Sequence, residues 1–122
     1  MKLLLIVGAL NAALAVIMGA FGAHGLKARV DAALLETWAT ASLYHFHHGL
    51  GLLLVGILAR QFSGSGFVAA GWTLFAGMLI FSGSLYLLVL TGQRWLGAIT
   101  PIGGTAMIAG WLMLAWAVYR NA

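Results

Sequence analysis

The chain has 122 residues, 63% of them hydrophobic and only 7% charged, with a formal net charge of +4 and no cysteine. A soluble domain carries roughly a quarter of its residues as charges, so this composition leaves no room for a soluble catalytic domain and excludes a disordered chain; the missing thiol excludes disulfides, thiolate catalysis and cysteine-ligated metal. The positive balance does not indicate a nucleic-acid partner, because the six basic residues are scattered singly at segment ends and form no patch.

Lys2, Lys27, Arg29, Asp31, Glu36, Arg60, Arg94 and Arg120 leave four uncharged stretches between them, 3–26, 37–59, 61–93 and 95–119. A helix of about 20 apolar residues crosses the hydrocarbon core of a bilayer. The pattern therefore predicts an all-α membrane protein. Its four transmembrane helices form a compact bundle and a single domain over 1–122, with spans near 2–22, 44–59, 67–91 and 101–119.

The first helix is expected over 2–22. Lys2, the apolar run and Ala20-Phe21-Gly22-Ala23 imitate a signal peptide, but the run is longer than an ordinary h-region and reads as a retained span. Gly8, Ala12, Ala15, Gly19 and Gly22 recur every three or four residues, a small-residue face where helices approach closely in lipid. Asn11 finds no partner in lipid and is expected to hydrogen-bond to a neighbouring helix. Gly22, His24 and Gly25 are expected to end the helix, and Asp31 to cap the next.

A continuous helix over 32–59 would be about 42 Å long, more than the hydrocarbon thickness. Residues 32–43 thus form an interfacial extension before helix two, and 44–59 enter the membrane. Leu34, Leu35, Trp38 and Ala41 supply an apolar side; Glu36, Thr40, Tyr44 and His48 recur every four residues on another. Gln61–Gly66 reads as a turn. The third helix, over 67–91, carries Ala70, Gly77 and Ser84 as a packing stripe, and Ser82, Ser84 and Tyr86 as hydroxyls able to bond across helices. After the connection Thr91–Arg94, Thr100 and Pro101 read as N-cap and first residue of a helix over 101–119, with 95–99 dipping into the interface. Gly103, Gly110 and Ala117 form its close-packing stripe, and interfacial anchors are expected among Trp95, Trp111, Trp116 and Tyr119, most clearly Trp95 and Tyr119 near the ends.

All four histidines, His24, His45, His47 and His48, fall at or near the first connection. Imidazole can ligate metal or haem, relay protons or bond a quinone carbonyl, yet no metal-site pattern such as His-Glu-x-x-His is present. Bonding to backbone, water or lipid phosphate is the plainer reading. Glu36 reads as a helix-surface charge able to pair with Lys27, Arg29 or Arg94. No GxSxG elbow exists, which rejects a serine hydrolase.

Gly19-Ala-Phe-Gly-Ala-His-Gly-Leu26, Tyr44 with His48, Phe81-Ser-Gly-Ser-Leu-Tyr86, and Thr100-Pro-Ile-Gly-Gly104 followed by Gly110-Trp111 occur in this order. Together they resemble the YgdD/YwdK family of small multi-pass membrane proteins of unknown function. The resemblance covers nearly the whole chain. It implies a bacterial inner-membrane protein with four spans and supplies no activity, cofactor or catalytic residue. It also ranks the histidines: His24 and His48 fall in the family's recurring pattern, whereas His45 and His47 stand where relatives often carry glutamine and an aromatic residue. The shared polar site this implies comprises His24, Glu36, Tyr44, His48 and Thr100.

Three functions are in view. The first is a non-enzymatic accessory or structural membrane component, favoured by small size and small-residue stripes, whose partners are membrane lipids and other membrane subunits or further copies of itself. The second is a protein binding a lipid, quinone or haem at the His24/His48 end. The third is a small oligomeric channel or transporter, ranked last because the span centres are apolar apart from Asn11, Thr73, Ser82 and Ser84. Lys2, Arg60 and Arg120 balance Lys27, Arg29 and Arg94 across the membrane; the α-amino group tips the termini toward the cytoplasm.

Overall fold

The helix boundaries follow from local chemistry. In the computed structural model, which describes residues 1–121, α1 runs over Lys2–Phe21 and continues through a π-helical turn, Gly22–Leu26. The glycines there do not end the helix as expected: they widen it, and the chain leaves helical geometry only after Leu26. The reason lies across the bundle. The Trp38 indole packs on Gly22, and its N–H donates to the Met18 carbonyl at 2.7 Å. Asp31 caps α2 (Ala32–Gln61) by accepting from the Leu34 N–H at 2.9 Å. Gly92, at φ 73°, closes α3 (Gly66–Thr91) in the left-handed region that glycine enters freely. A 3-10 turn, Arg94–Ala98, leads into α4 (Thr100–Asn121). Thr100 is the first helical residue and not a cap. Its hydroxyl is used on the Leu96 carbonyl and on Ser84.

All four helices are long and apolar enough to cross a membrane. They pack up-and-down with α2 and α3 as the shared centre, α1 lying mainly on α2 and α4 mainly on α3. Residues 32–43 continue α2 without a break and set Trp38 and Ala41 into the bundle.

Small residues set the helix spacing. A Cβ on Gly49 would stand 2.8 Å from the Ala12 nitrogen, and one on Gly77 would stand 2.6 Å from the Met107 nitrogen. Backbones therefore touch at the α1–α2 and α3–α4 crossings, as small residues permit in lipid. The expected stripes are the contact faces: Gly8 and Ala15 are buried on α1, Ala70, Gly77 and Ser84 on α3, and Gly103, Gly110 and Ala117 on α4.

The interior divides into two apolar clusters. One, toward the chain termini, gathers Leu4, Leu52, Val55, Phe67, Leu74 and Leu114; the other, toward the first connection, gathers Leu26, Trp38, Ala41, Tyr86 and Val89. The buried histidines and serines lie between them along α2 and α3.

Candidate functional site

His45 and His48 are the fourteenth and seventeenth of the 30 residues of α2. They sit at its middle, not near the first connection as expected, and are 4% and 5% exposed. A polar group buried without a partner costs several kcal/mol in a hydrocarbon setting, so each ring nitrogen needs an explanation.

His45 joins three helices. Its Nδ1 lies 2.9 Å from the Tyr86 hydroxyl of α3, and its Nε2 lies 2.9 Å from Asn11 Oδ1 of α1. Asn11 Nδ2 donates to the Val7 carbonyl at 2.9 Å, which leaves its Oδ1 as acceptor. A neutral His45 ring must then donate from Nε2 and accept the Tyr86 proton at Nδ1. The chain of donors runs one way, Tyr86 to His45 to Asn11 to Val7, and ends on backbone. Asn11 thus bonds to a neighbouring helix as expected.

His48 has the opposite arrangement. Its Nδ1 faces the Tyr44 carbonyl at 2.8 Å and so carries the proton; its Nε2 accepts the Trp111 indole N–H at 3.0 Å. Trp111 is no interfacial anchor. It stands halfway along α4, and its ring reaches over Gly51, where a Cβ would come within 3.0 Å of the indole. This contact ties α4 to α2.

Two hydroxyls complete the band. Ser82 donates to the Ala41 carbonyl at 2.8 Å, joining α3 to α2, and the Ser84 and Thr100 hydroxyls stand 2.6 Å apart, joining α3 to α4. Serine at these positions bonds across helices, as its place in the third span suggests.

Of the five residues grouped as a polar site, the structure brings Tyr44 and His48 together. Their rings stack with centroids 6.3 Å apart, Tyr44 also packs on Phe81 at 5.0 Å, and they line a surface cleft of about 300 Å³ with Gly104, Met107 and Trp111. Thr100 pairs with Ser84 instead. His24 and Glu36 are exposed. His24 follows Gly22, which is level with Trp38, whereas the His48 neighbour Gly49 is level with Ala12. Twelve residues of α1, about 18 Å, therefore separate the two histidines along the bundle. Nor does the four-residue spacing from Glu36 to His48 make one face: each step advances about 40° around the helix, so the two ends differ by about 120°. Among the described residues no group of three His, Cys, Asp or Glu side chains could hold a metal ion.

The residues that matter most for the buried band and stood outside that grouping are His45, Tyr86 and Trp111. A signal for His45 was present: Ala41, His45 and Gly49 are spaced by four, which puts the imidazole on the small-residue face of α2. Asn11, short of a partner, was the other half of that signal.

The chain matches the family model described as "Protein of unknown function (DUF423)" over residues 18–104. It is 50% identical over 121 residues to the UPF0382 membrane protein YwdK of Bacillus subtilis, covering 98% of each chain. A UPF0382 membrane protein of Staphylococcus aureus is 50% identical over 122 residues, covering 100% of this chain and 99% of the relative. One of Staphylococcus saprophyticus is 51% identical over 120 residues, covering 98% of this chain and 99% of the relative. No solved structure matches the chain.

Proposed function

The chain belongs to the DUF423 family of membrane proteins, and on that premise we propose that it is a non-enzymatic structural or accessory component of the bacterial plasma membrane, with both termini in the cytoplasm. One observation carries this reading: the polar interior is closed on itself. Among the described residues, every buried side-chain nitrogen and oxygen has a hydrogen-bond partner. Both ring nitrogens of His45 and of His48 are spent on holding helices together. A catalytic base or ligand keeps a lone pair or proton for its substrate; these groups keep theirs for the fold.

The outward faces suit assembly in lipid. Leu10, Ile17, Ile108 and Leu112 are each more than 60% exposed on α1 and α4. Lipid, further copies or foreign membrane subunits can cover such faces by dispersion and shape alone. The chain's bacterial relatives bear the words "membrane protein" in their names, which supports the placement in a membrane.

A ligand-binding reading rests on the cleft beside Tyr44 and His48. Its aromatic and apolar walls would suit a flat or acyl group, but His48 has no free nitrogen to offer a haem iron. Native mass spectrometry on the full chain, gently solubilised from its own membrane, separates the two. Protomers held to foreign subunits in fixed ratio are expected. A fixed small adduct, lost in His48→Ala, would replace this reading with the ligand-binding one.

A further inference from the structure

At the end of the bundle away from His24, the α2–α3 loop and the last turns of α4 border an open cleft of about 580 Å³. Its floor is apolar, made by Leu112, Met113 and Trp116 of α4. Its mouth is polar, made by Ser65, whose hydroxyl makes no capping bond to α3, and by Arg120. The guanidinium carbon of Arg120 stands 5.9 Å from the Trp116 ring centroid, a cation–π distance that holds the charge over the apolar wall. Trp116 in turn stacks on Tyr119 with centroids 5.6 Å apart. Two aromatic rings beside an arginine are what the headgroup level of a bilayer selects.

The charge around the cleft is one-sided. Lys2, Arg60 and Arg120 belong to this end, whereas the only carboxylate side chains in the chain, Asp31 and Glu36, belong to the other. No Asp or Glu side chain at this end competes for Arg120. The occupant that satisfies both halves is an amphipathic anion. A soluble anion would leave the apolar floor wet, and a zwitterionic lipid would bring its own ammonium cation to an end that already carries Lys2, Arg60 and Arg120.

We infer that this cleft docks an anionic phospholipid, with its phosphate against Arg120 and Ser65 and one acyl chain along Leu112, Met113 and Trp116. The inference does not rest on the accessory role proposed above; the two share only Leu112, which an acyl chain in the cleft would cover in place of a neighbouring subunit.

The test uses the full chain in mild detergent, titrated with phosphatidylglycerol or with phosphatidylcholine of the same acyl chains and read by native mass spectrometry. One retained phosphatidylglycerol per protomer is expected, in preference to phosphatidylcholine. Arg120→Gln should weaken that adduct about fivefold, the worth of one basic residue at an anionic lipid surface. Arg60→Gln, which removes a charge at the same end but outside the cleft, should leave it within about twofold, and Arg120→Lys should restore part of it. Both positions are exposed near the ends of helices, and an unchanged unfolding temperature confirms intact variants. Equal binding of the two lipids, equal losses in Arg60→Gln and Arg120→Gln, or displacement of the lipid by millimolar inorganic phosphate would each overturn the inference.

Discussion

His45 and His48 are three residues apart on one helix, yet their partners require the proton on different nitrogens. For His45 the acceptor, Asn11 Oδ1, faces Nε2; for His48 the acceptor, the Tyr44 carbonyl, faces Nδ1. Hydrogen-bond valence alone makes this assignment, since a carbonyl cannot donate and an indole N–H cannot accept. Nitrogen-15 NMR of the histidine-labelled protein in lipid should show one buried ring as the Nε2–H tautomer and the other as Nδ1–H. Tyr86→Phe should move only the His45 signals, and Trp111→Phe only those of His48. Two buried rings in the same tautomer would mean that these networks are not the ones that hold the helices. His24 and Glu36 teach the complementary lesson. Each is chemically capable, but exposed side chains about 18 Å from the buried histidine share no site with it.

At the scale of the element, glycine decides how near two helices come. A Cβ on Gly103 would lie 2.8 Å from both the Phe81 Cα and the Gly77 carbonyl oxygen, atoms of backbone that cannot swing aside. Gly103→Ala should therefore force α3 and α4 apart and cost about 1–3 kcal/mol, the usual penalty of overpacking. Gly83, on the same α3, meets nothing within 4 Å. Gly83→Ala should be neutral or stabilising by up to about 1 kcal/mol through helix propensity. Thermal unfolding of both variants in one detergent checks the pair; equal effects would show that glycine content, and not contact, sets the stability. The π-helical turn belongs to the same scale. Small residues at Gly22 and Gly25 allow α1 to widen, but it is the Trp38 indole of α2, seated on Gly22, that makes the wide turn worth forming.

In the whole molecule, α2 and α3 form the centre and α1 and α4 the flanks, so side chains of similar hydropathy meet different surroundings. The tryptophans report this directly. Trp38 is 2% exposed, Trp111 37%, Trp116 59% and Trp95 61%. In bilayers containing brominated lipids, variants retaining a single tryptophan should show strong quenching at Trp116, intermediate quenching at Trp111 and almost none at Trp38. Quenching of Trp38 comparable to that of Trp116 would be incompatible with α1 and α3 closing over it. The two apolar clusters and the hydrogen-bonded band between them share one logic. Apolar packing gives lipid-embedded helices little preference over lipid itself, so the partnered polar groups select the register.

Much of this molecule was legible in the chain alone. Eight charges, spaced to leave four uncharged runs, are enough to specify four long helices, because a helix is the local answer to a backbone in lipid. Asp31 as a cap, the Gly103–Gly110–Ala117 stripe and the cross-helix bonds of Asn11 and Ser82 were legible for the same reason: each depends on spacing within one helix or on a polar group that must find a partner. Which partner it finds is a different matter. That Asn11 takes His45, that Trp111 turns inward to His48, that Thr100 pairs with Ser84 and that Gly22 seats Trp38 depend on how four helices rotate and slide against one another. A sequence fixes the period of each helix face; only packing of all four together sets the faces' angles and heights, and with them the pairs that meet.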